Sequence, residues 1–156
     1  MKIKIITVGK TRKNHWQLAE QDYLKRIQRY CELQFVFTKE ASQETLRNDA
    51  LVKETEAVEI KKKIEAGEFV IALDQRGKTL SSEELAEFLQ DKTVQGRSRF
   101  CFIIGGPLGL SPEICQQADL VLALSKMTLP HELAKIVLLE QIYRAFTIMH
   151  GEKYHK

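Results

Sequence analysis

The sequence has no apolar run long enough to cross a membrane: its longest, over residues 69–73 and 120–124, are five residues, against the ~20 that a spanning helix needs. The start, Met1 to Gly9, alternates and then turns at Gly9, without the apolar stretch and small-residue cleavage site of a secretory signal, so a cytoplasmic location and no membrane partner are expected. Cysteine is scarce. Cys31, Cys101 and Cys115 are odd in number and form no C-x-x-C pair, which argues against a disulfide framework or a zinc site and leaves them as small buried hydrophobes. The four histidines, His15, His131, His150 and His155, make no H-x-x-x-H or H-E-x-x-H spacing, so no metal is expected. With 8 Gly and 3 Pro in 156 residues, 44% hydrophobic and 29% charged, disordered, collagen-like and mucin-like chains are excluded. One domain over 1–156 with a real core is what this length and composition support.

Phosphate-cradling and hydrolase signatures are missing as well. There is no G-x-G-x-x-G, no G-x-x-x-x-G-K-[ST], and no G-x-S-x-G elbow around Ser111 or Ser125. The net charge of +3 is modest, but it is unevenly spread: residues 1–30 hold eight Lys and Arg against Glu20 and Asp22, a net +6, and the remainder is −3. A basic end of this kind can bind phosphates by counterion release, while a solvated helix face with ordinary strand edges gives the same count.

Short apolar runs alternate with amphipathic stretches. Ile3 to Val8 reads as a strand, and Trp16, Ala19, Tyr23, Ile27 and Tyr30 recur at helical spacing, a core stripe rather than a base-stacking platform. Leu33 to Phe37 is a second strand. Residues 43–66 place Leu46, Ala50, Ala57, Ile60 and Ile64 near one stripe of a long exposed helix stopped by Gly67. Phe69 to Leu73 and Phe100 to Ile104 are apolar throughout, as strands buried on both faces are. Asp74-Gln75-Arg76-Gly77 is expected to turn the chain, Ser81 with Glu84 forms a capping box, and Ser111-Pro112 opens a short helix. Leu120 to Leu124 is a fifth strand, and Pro130 marks the first turn of a last helix that Gly151 ends. The architecture implied is an α/β three-layer sandwich with a mostly parallel sheet.

Ligands of such sheets sit beyond the carboxyl ends of the strands. Three segments fall there: Leu73-Asp74, Gly105-Gly106-Pro107-Leu108-Gly109, and Ser125-Lys126-Met127-Thr128. Paired glycines after a buried strand let backbone amides approach a nucleotide or nucleoside, although a tight strand-to-helix turn needs the same glycines. Thr128 reads as a helix cap, Lys126 as a solvated side chain, and His131 as a surface residue no less than a functional one. Cys115 lies just inside a helix, where packing is the commoner role.

Phe102-Ile103-Ile104-Gly105-Gly106-Pro107-Leu108-Gly109-Leu110-Ser111, Leu124-Ser125-Lys126-Met127-Thr128-Leu129-Pro130-His131, Leu139-Glu140-Gln141-Ile142-Tyr143-Arg144-Ala145-Phe146 and the terminal Tyr154-His155-Lys156 together resemble a known family. The sequence is similar to the SPOUT-superfamily methyltransferases of large-subunit ribosomal RNA that methylate N3 of a pseudouridine, and the likeness runs from Val8-Gly9-Lys10 to the last residue. The resemblance implies a C-terminal trefoil knot, S-adenosylmethionine held within it, and a homodimer that completes the site. It implies cofactor contacts at Leu73, Gly105, Gly106, Leu124, Ser125, Lys126, Met127, Thr128 and Leu129. Methyl transfer to N3 requires the ring proton to leave, so the tail supplies the candidates: His155 and Tyr154 for catalysis, and Lys156 for phosphate or the developing anion. Arg144 is a further RNA contact or a structural ion pair. The family acts on the assembled ribosome, so Lys10, Arg12 and Lys13 are expected to face large-subunit rRNA. Two other readings remain at this level: a non-catalytic ribosome-associated assembly factor, and a related enzyme acting on tRNA or a small metabolite.

Overall fold

The computed structural model describes residues 1–41 and 48–154. Ten elements alternate along the chain: β1 (Lys2–Val8), α1 (Asn14–Ile27), β2 (Glu32–Thr38), α2 (Asp49–Lys61), β3 (Phe69–Thr79), α3 (Ser82–Val94), β4 (Arg99–Ile104), α4 (Pro112–Gln117), β5 (Leu120–Ala123) and α5 (His131–Met149). The strands form one sheet in the order β2-β1-β4-β3-β5, and every pairing is parallel. Both faces are covered, which is why β4 and the first half of β3, through Leu73, read as unbroken apolar runs. Ile3, Ile5, Phe69, Ile71, Phe100 and Phe102 meet α1, α3 and α5 on one side; Ile6, Val8, Val70, Ala72 and Ile103 meet α2 and α4 on the other. This is the three-layer α/β sandwich expected.

Local signals set the helix starts. The Ser81 hydroxyl accepts the Glu84 amide at 3.1 Å and the Glu84 carboxylate accepts the Ser81 amide at 2.6 Å, a complete capping box. Ser111 caps α4 ahead of Pro112. Asn48 caps α2, so that helix begins at Asp49 and ends at Lys61, shorter than the stripe over 43–66 implies; Leu46 lies outside the described residues. Pro130, not Thr128, is the cap residue of α5.

The largest departure from expectation is at residues 74–77. They do not end β3. The strand pairs with β5 through Leu73, shifts register, and pairs again at Lys78 and Thr79. The excursion bulges Asp74, Gln75 and Arg76 out of the ladder. Gly77 makes the return possible, because a Cβ there would stand 2.6 Å from the Val121 carbonyl. A turn and a wide bulge need the same residue types, so composition could not separate them.

The aromatic stripe is core in part: Tyr23 of α1 and Tyr30, just past the helix's end at Ile27, pack against the core from its edge. Trp16, Tyr23 and Tyr30 are half-buried, whereas the fully buried positions on α1 are Glu20 and Ile27. Tyr30 stacks on Phe146 at 5.4 Å and donates its hydroxyl to Glu152 at 2.7 Å, so the ring is packed while its polar tip stays wet. Glu20 faces Lys135 of α5, which is 2% exposed. The Lys135 ammonium lies 3.0 Å from the Glu20 carboxylate, donates to the Thr11 hydroxyl at 2.6 Å, and sits 5.5 and 5.6 Å from the ring centres of Phe35 and Phe37. Thr11 in turn donates to Glu20. One buried cluster thus fastens the β1–α1 loop, α1, β2 and the first turns of α5 together.

Removing one member of a buried pair strands the other charge. Lys135→Met is expected to cost about 3–5 kcal/mol in urea unfolding, and Lys135→Met with Glu20→Leu less than that single change. Equal or greater loss in the double variant would show that the pair contributes nothing beyond its packing.

Candidate functional site

The bulge within β3 and the carboxyl ends of β4 and β5 open on one cavity of about 920 Å³. Its walls are the β3 bulge (Leu73 to Arg76), the turn after β4 (Gly105 to Leu110), the segment after β5 (Leu124, Ser125 and Met127 to Pro130), His131 and Ala134 of α5, and Lys53 of α2. The size suits a nucleoside-sized ligand.

Each wall has a local reason for its shape. In the β4 turn, a Cβ on Gly105 would stand 2.7 Å from the carbonyl carbon of Gly109 and 2.8 Å from the Leu110 nitrogen, so the loop can fold onto itself only around a glycine. The Gly109 amide donates to the Gly106 carbonyl at 2.9 Å, and Gly109 takes a positive φ of 79°. On the opposite wall the Ser125 hydroxyl accepts the Met127 amide at 2.9 Å, and Thr128 donates to Gln75 at 2.7 Å, tying the segment after β5 to the bulge. Within the bulge Arg76 grips Asp74 through Nε and Nη2, both at 2.8 Å. That guanidinium holds the Asp74 carboxyl below its ordinary range and is itself pushed up. Cys115 Sγ lies 4.0 Å from Asp74, and burial with the nearby carboxylate raises its thiol. Such a thiol is mostly protonated near neutrality, which fits packing rather than nucleophilic attack.

Of the residues expected to contact a cofactor, Leu73, Gly105, Gly106, Leu124, Ser125, Met127, Thr128 and Leu129 line this single cavity. Lys126 is exposed and is not part of the lining. Sequence reasoning placed Asp74 with Leu73 in this zone but missed Gln75, Arg76, Lys53 and His131 as wall residues. For His131 the signal was its place in the first turn of a helix behind Pro130, at a strand's carboxyl end. For Lys53 there was none, because α2 is distant in sequence from the other walls.

The basic residues divide. Lys10, Arg12 and Lys13 are exposed on the β1–α1 loop, at the same sheet edge as the cavity. Arg12 pairs with Glu40 at 2.6 Å, and Lys10 lies 5.9 Å from the Phe37 ring centre. Lys4, counted in the basic segment, is instead 4% exposed and bonded to Glu68 at 2.8 Å. The carboxyl-terminal candidates stand elsewhere. Arg144 pairs with Glu140 at 2.6 Å within α5, its guanidinium carbon is 4.8 Å from the Tyr154 ring centre, and Tyr154 donates to Glu140 at 3.3 Å. Arg144 is thirteen residues beyond His131 on the same helix, a rise of about 20 Å. Within one chain, therefore, the Arg144–Tyr154 cluster and the cavity occupy opposite ends of α5. His155 and Lys156 lie outside the described residues. Among the described residues no group of three or more His, Cys, Asp or Glu is placed to hold a metal ion, and no helix is long and apolar enough to cross a membrane.

Comparison with known proteins agrees with this geometry. The family described as predicted SPOUT methyltransferase matches residues 1–155. The chain is 47% identical over the full length of both chains to a ribosomal RNA large subunit methyltransferase H from Alkaliphilus oremlandii, and 44% and 42% identical, again over full lengths, to proteins of that name from Clostridioides difficile and Clostridium acetobutylicum. Among solved structures, a probable methylase family protein from Haemophilus influenzae superposes with a TM-score of 0.56 at 17% identity, covering 99% of this chain and 70% of that one, a likeness of fold. A match along nearly the whole sequence, relatives above 40% identity from end to end, and a parallel sheet with its cavity walled by the β3 bulge and the ends of β4 and β5 lead to one conclusion: the chain belongs to the SPOUT methyltransferase family.

Proposed function

We propose that the protein is an S-adenosylmethionine-dependent methyltransferase that modifies N3 of a pseudouridine in large-subunit (23S) rRNA on the assembled ribosome. In this reading it works in the cytoplasm as a homodimer of single, trefoil-knotted SPOUT domains over 1–156. The observation that carries the reading is the cavity itself: the β3 bulge and the ends of β4 and β5 converge on one space, with the backbone of Gly105 and Gly106 forming part of its wall. The names of the full-length relatives support ribosomal RNA as the substrate class.

The residues present fit this methyl donor. Leu73, Leu124 and Leu129 offer apolar surface for an adenine ring, and the turns at 105–110 and 124–129 bring backbone polar groups to the rim. When bound, the donor supplies a methyl group made electrophilic by its sulfonium. The chain's own task is to place the acceptor nitrogen in line and to remove its proton. Tyr154 and His155 are assigned to base orientation and proton removal, and Lys156 and Arg144 to RNA phosphate or to the charge that develops on the ring. Because the Arg144–Tyr154 cluster lies at the far end of α5 from the cavity of its own chain, a complete site brings in Tyr154 of the partner subunit. Lys10, Arg12 and Lys13 form the ribosome-docking edge beside the cavity.

With labelled donor and intact ribosomes, separated large subunits or bulk tRNA, N3-methylpseudouridine is expected on intact ribosomes by nucleoside mass analysis. Label on tRNA instead would reassign the substrate, and absence of donor binding would favour an assembly factor. Replacing Lys10, Arg12 and Lys13 by Ala is expected to raise KM for ribosomes roughly tenfold and flatten its salt dependence, with donor affinity unchanged; parallel loss of donor affinity would refute a docking role. A cavity-filling Leu124→Trp chain and an Arg144→Ala chain, each inactive alone, are expected to regain activity in mixed dimers, since one of the two composite sites is then intact. Mixed dimers as inactive as the parents would refute sharing of the site between copies.

A further inference from the structure

Among the described residues, Glu56 is a carboxylate within the apolar layer beneath the cavity's glycine turn that no element of the proposed reaction employs. It sits in the middle of α2, on the face that also carries Val52, Ala57 and Ile60, and is 5% exposed. Burial pushes its pKa up, and the Gly106 and Ala41 amides facing the carboxylate pull it partly back. Glu40 nearby pushes it further up, and among the described residues no lysine or arginine pairs with it. Holding a carboxylate in an apolar layer is costly, and a leucine or methionine at this place would pack without that cost. Its presence is therefore explained by what its oxygens hold.

They hold the Gly105–Gly106 turn. A Cβ on Gly106 would stand 3.1 Å from each Glu56 oxygen, so the residue is a glycine on that side because Glu56 occupies the space. Gly106 also lines the cavity. The carboxylate and the cavity thus meet the same peptide, and the turn has little freedom otherwise: Gly105 is pressed against Gly109 and Leu110, and the Gly109 amide closes on the Gly106 carbonyl. The second amide on Glu56, that of Ala41, belongs to the strap that follows β2, whose Glu40 pairs with Arg12.

We propose that Glu56 is a positioning residue, which fixes the backbone of the Gly105–Gly106 turn from beneath in the shape that receives the methyl donor. This rests on the reading of the cavity as the donor site. It predicts that Glu56 governs donor affinity without touching the donor.

The test uses the full chain as wild type, Glu56→Ala and Glu56→Gln. Binding of S-adenosylmethionine is measured by calorimetry, amide hydrogen exchange of the 102–110 peptide without donor by mass spectrometry, and KM and kcat on ribosomes. Losing the carboxylate that packs against Gly106 in Glu56→Ala is expected to weaken donor binding about tenfold and to speed exchange of the turn about tenfold. Glu56→Gln keeps one carbonyl acceptor for two amides and is expected to lose only about threefold in each. KM for the donor should rise in the same order, Ala above Gln, with kcat within about twofold of wild type. A role in stability alone would lower the unfolding temperature and leave donor KM and the exchange of this peptide where they were. Unchanged affinity and exchange in folded Glu56→Ala, or a fall in kcat at constant donor affinity, overturns the proposal. Should Glu56→Ala not fold, Glu56→Gln decides: values equal to wild type overturn it and the threefold losses support it. Wild type that binds no donor overturns the donor-site reading instead, a separate outcome.

Discussion

Everything at the carboxyl edge of this sheet depends on β3 meeting β5 twice. The first pairing, through Leu73, sets the depth of the cavity, and the second, at Lys78 and Thr79, anchors the excursion between them. The backbone of Gly77 against Val121 is what lets the strand return after four residues have left the ladder. An ordinary hairpin-like turn there would have sent the chain away from the sheet and removed one wall. The bulge instead delivers Asp74, Gln75 and Arg76 to the rim, where Gln75 fastens the opposite wall through Thr128. Two loops far apart in sequence are thus held at a fixed separation by one strand irregularity.

A second feature is the way polar groups are used inside the apolar layers. Lys135 with Glu20 and Thr11, Lys4 with Glu68, and Glu56 with two backbone amides are all nearly inaccessible, yet each has partners. They fasten different things. The Lys4 pair closes the amino edge of the sheet, where the Lys63 carbonyl also accepts from it at 2.8 Å. The Lys135 cluster joins first and last helices across the sheet's outer layer. Glu56 supports a turn rather than an element. Buried hydrogen-bonded charge adds little net stability compared with good apolar packing, but it tolerates few alternative arrangements, and all three lie where two segments must keep register.

Much of this was legible in the sequence. The strands were, because burial on both faces leaves β4 and the first half of β3 as continuous apolar runs, and the starts of α3 and α4 were, because Ser81-Glu84 and Ser111-Pro112 carry their own capping chemistry. The three segments that wall the cavity followed from the parallel sheet and the glycine pair. Other features were hidden for identifiable reasons. The bulge uses the Asp, Gly and basic residues that a turn would use. The α1 stripe of Trp16, Tyr23 and Tyr30 has the spacing of a core face, but α1 packs on α5 near the rim of the layer and its most buried polar residue, Glu20, looks like a surface charge until Lys135 is brought to it. Glu56 looks like any glutamate in a polar helix. Lys4 adds to the count of basic residues without adding to a basic surface, which a count along the chain has no means of showing.

The register of β1 has a consequence for how the protein is made. Lys2 stands beside Arg99 and Ile5 beside Phe102, so β1, made before the other strands of its sheet, completes its pairing only after nearly a hundred further residues have been synthesised. The Glu20 carboxylate waits longer still, for Lys135 in the last helix. An amino-terminal half made alone would expose one apolar edge of β1 and a charge without its counterion. Closure of this sheet consequently depends on pairings between distant segments, the kind of topology whose loop-closure cost slows folding in general.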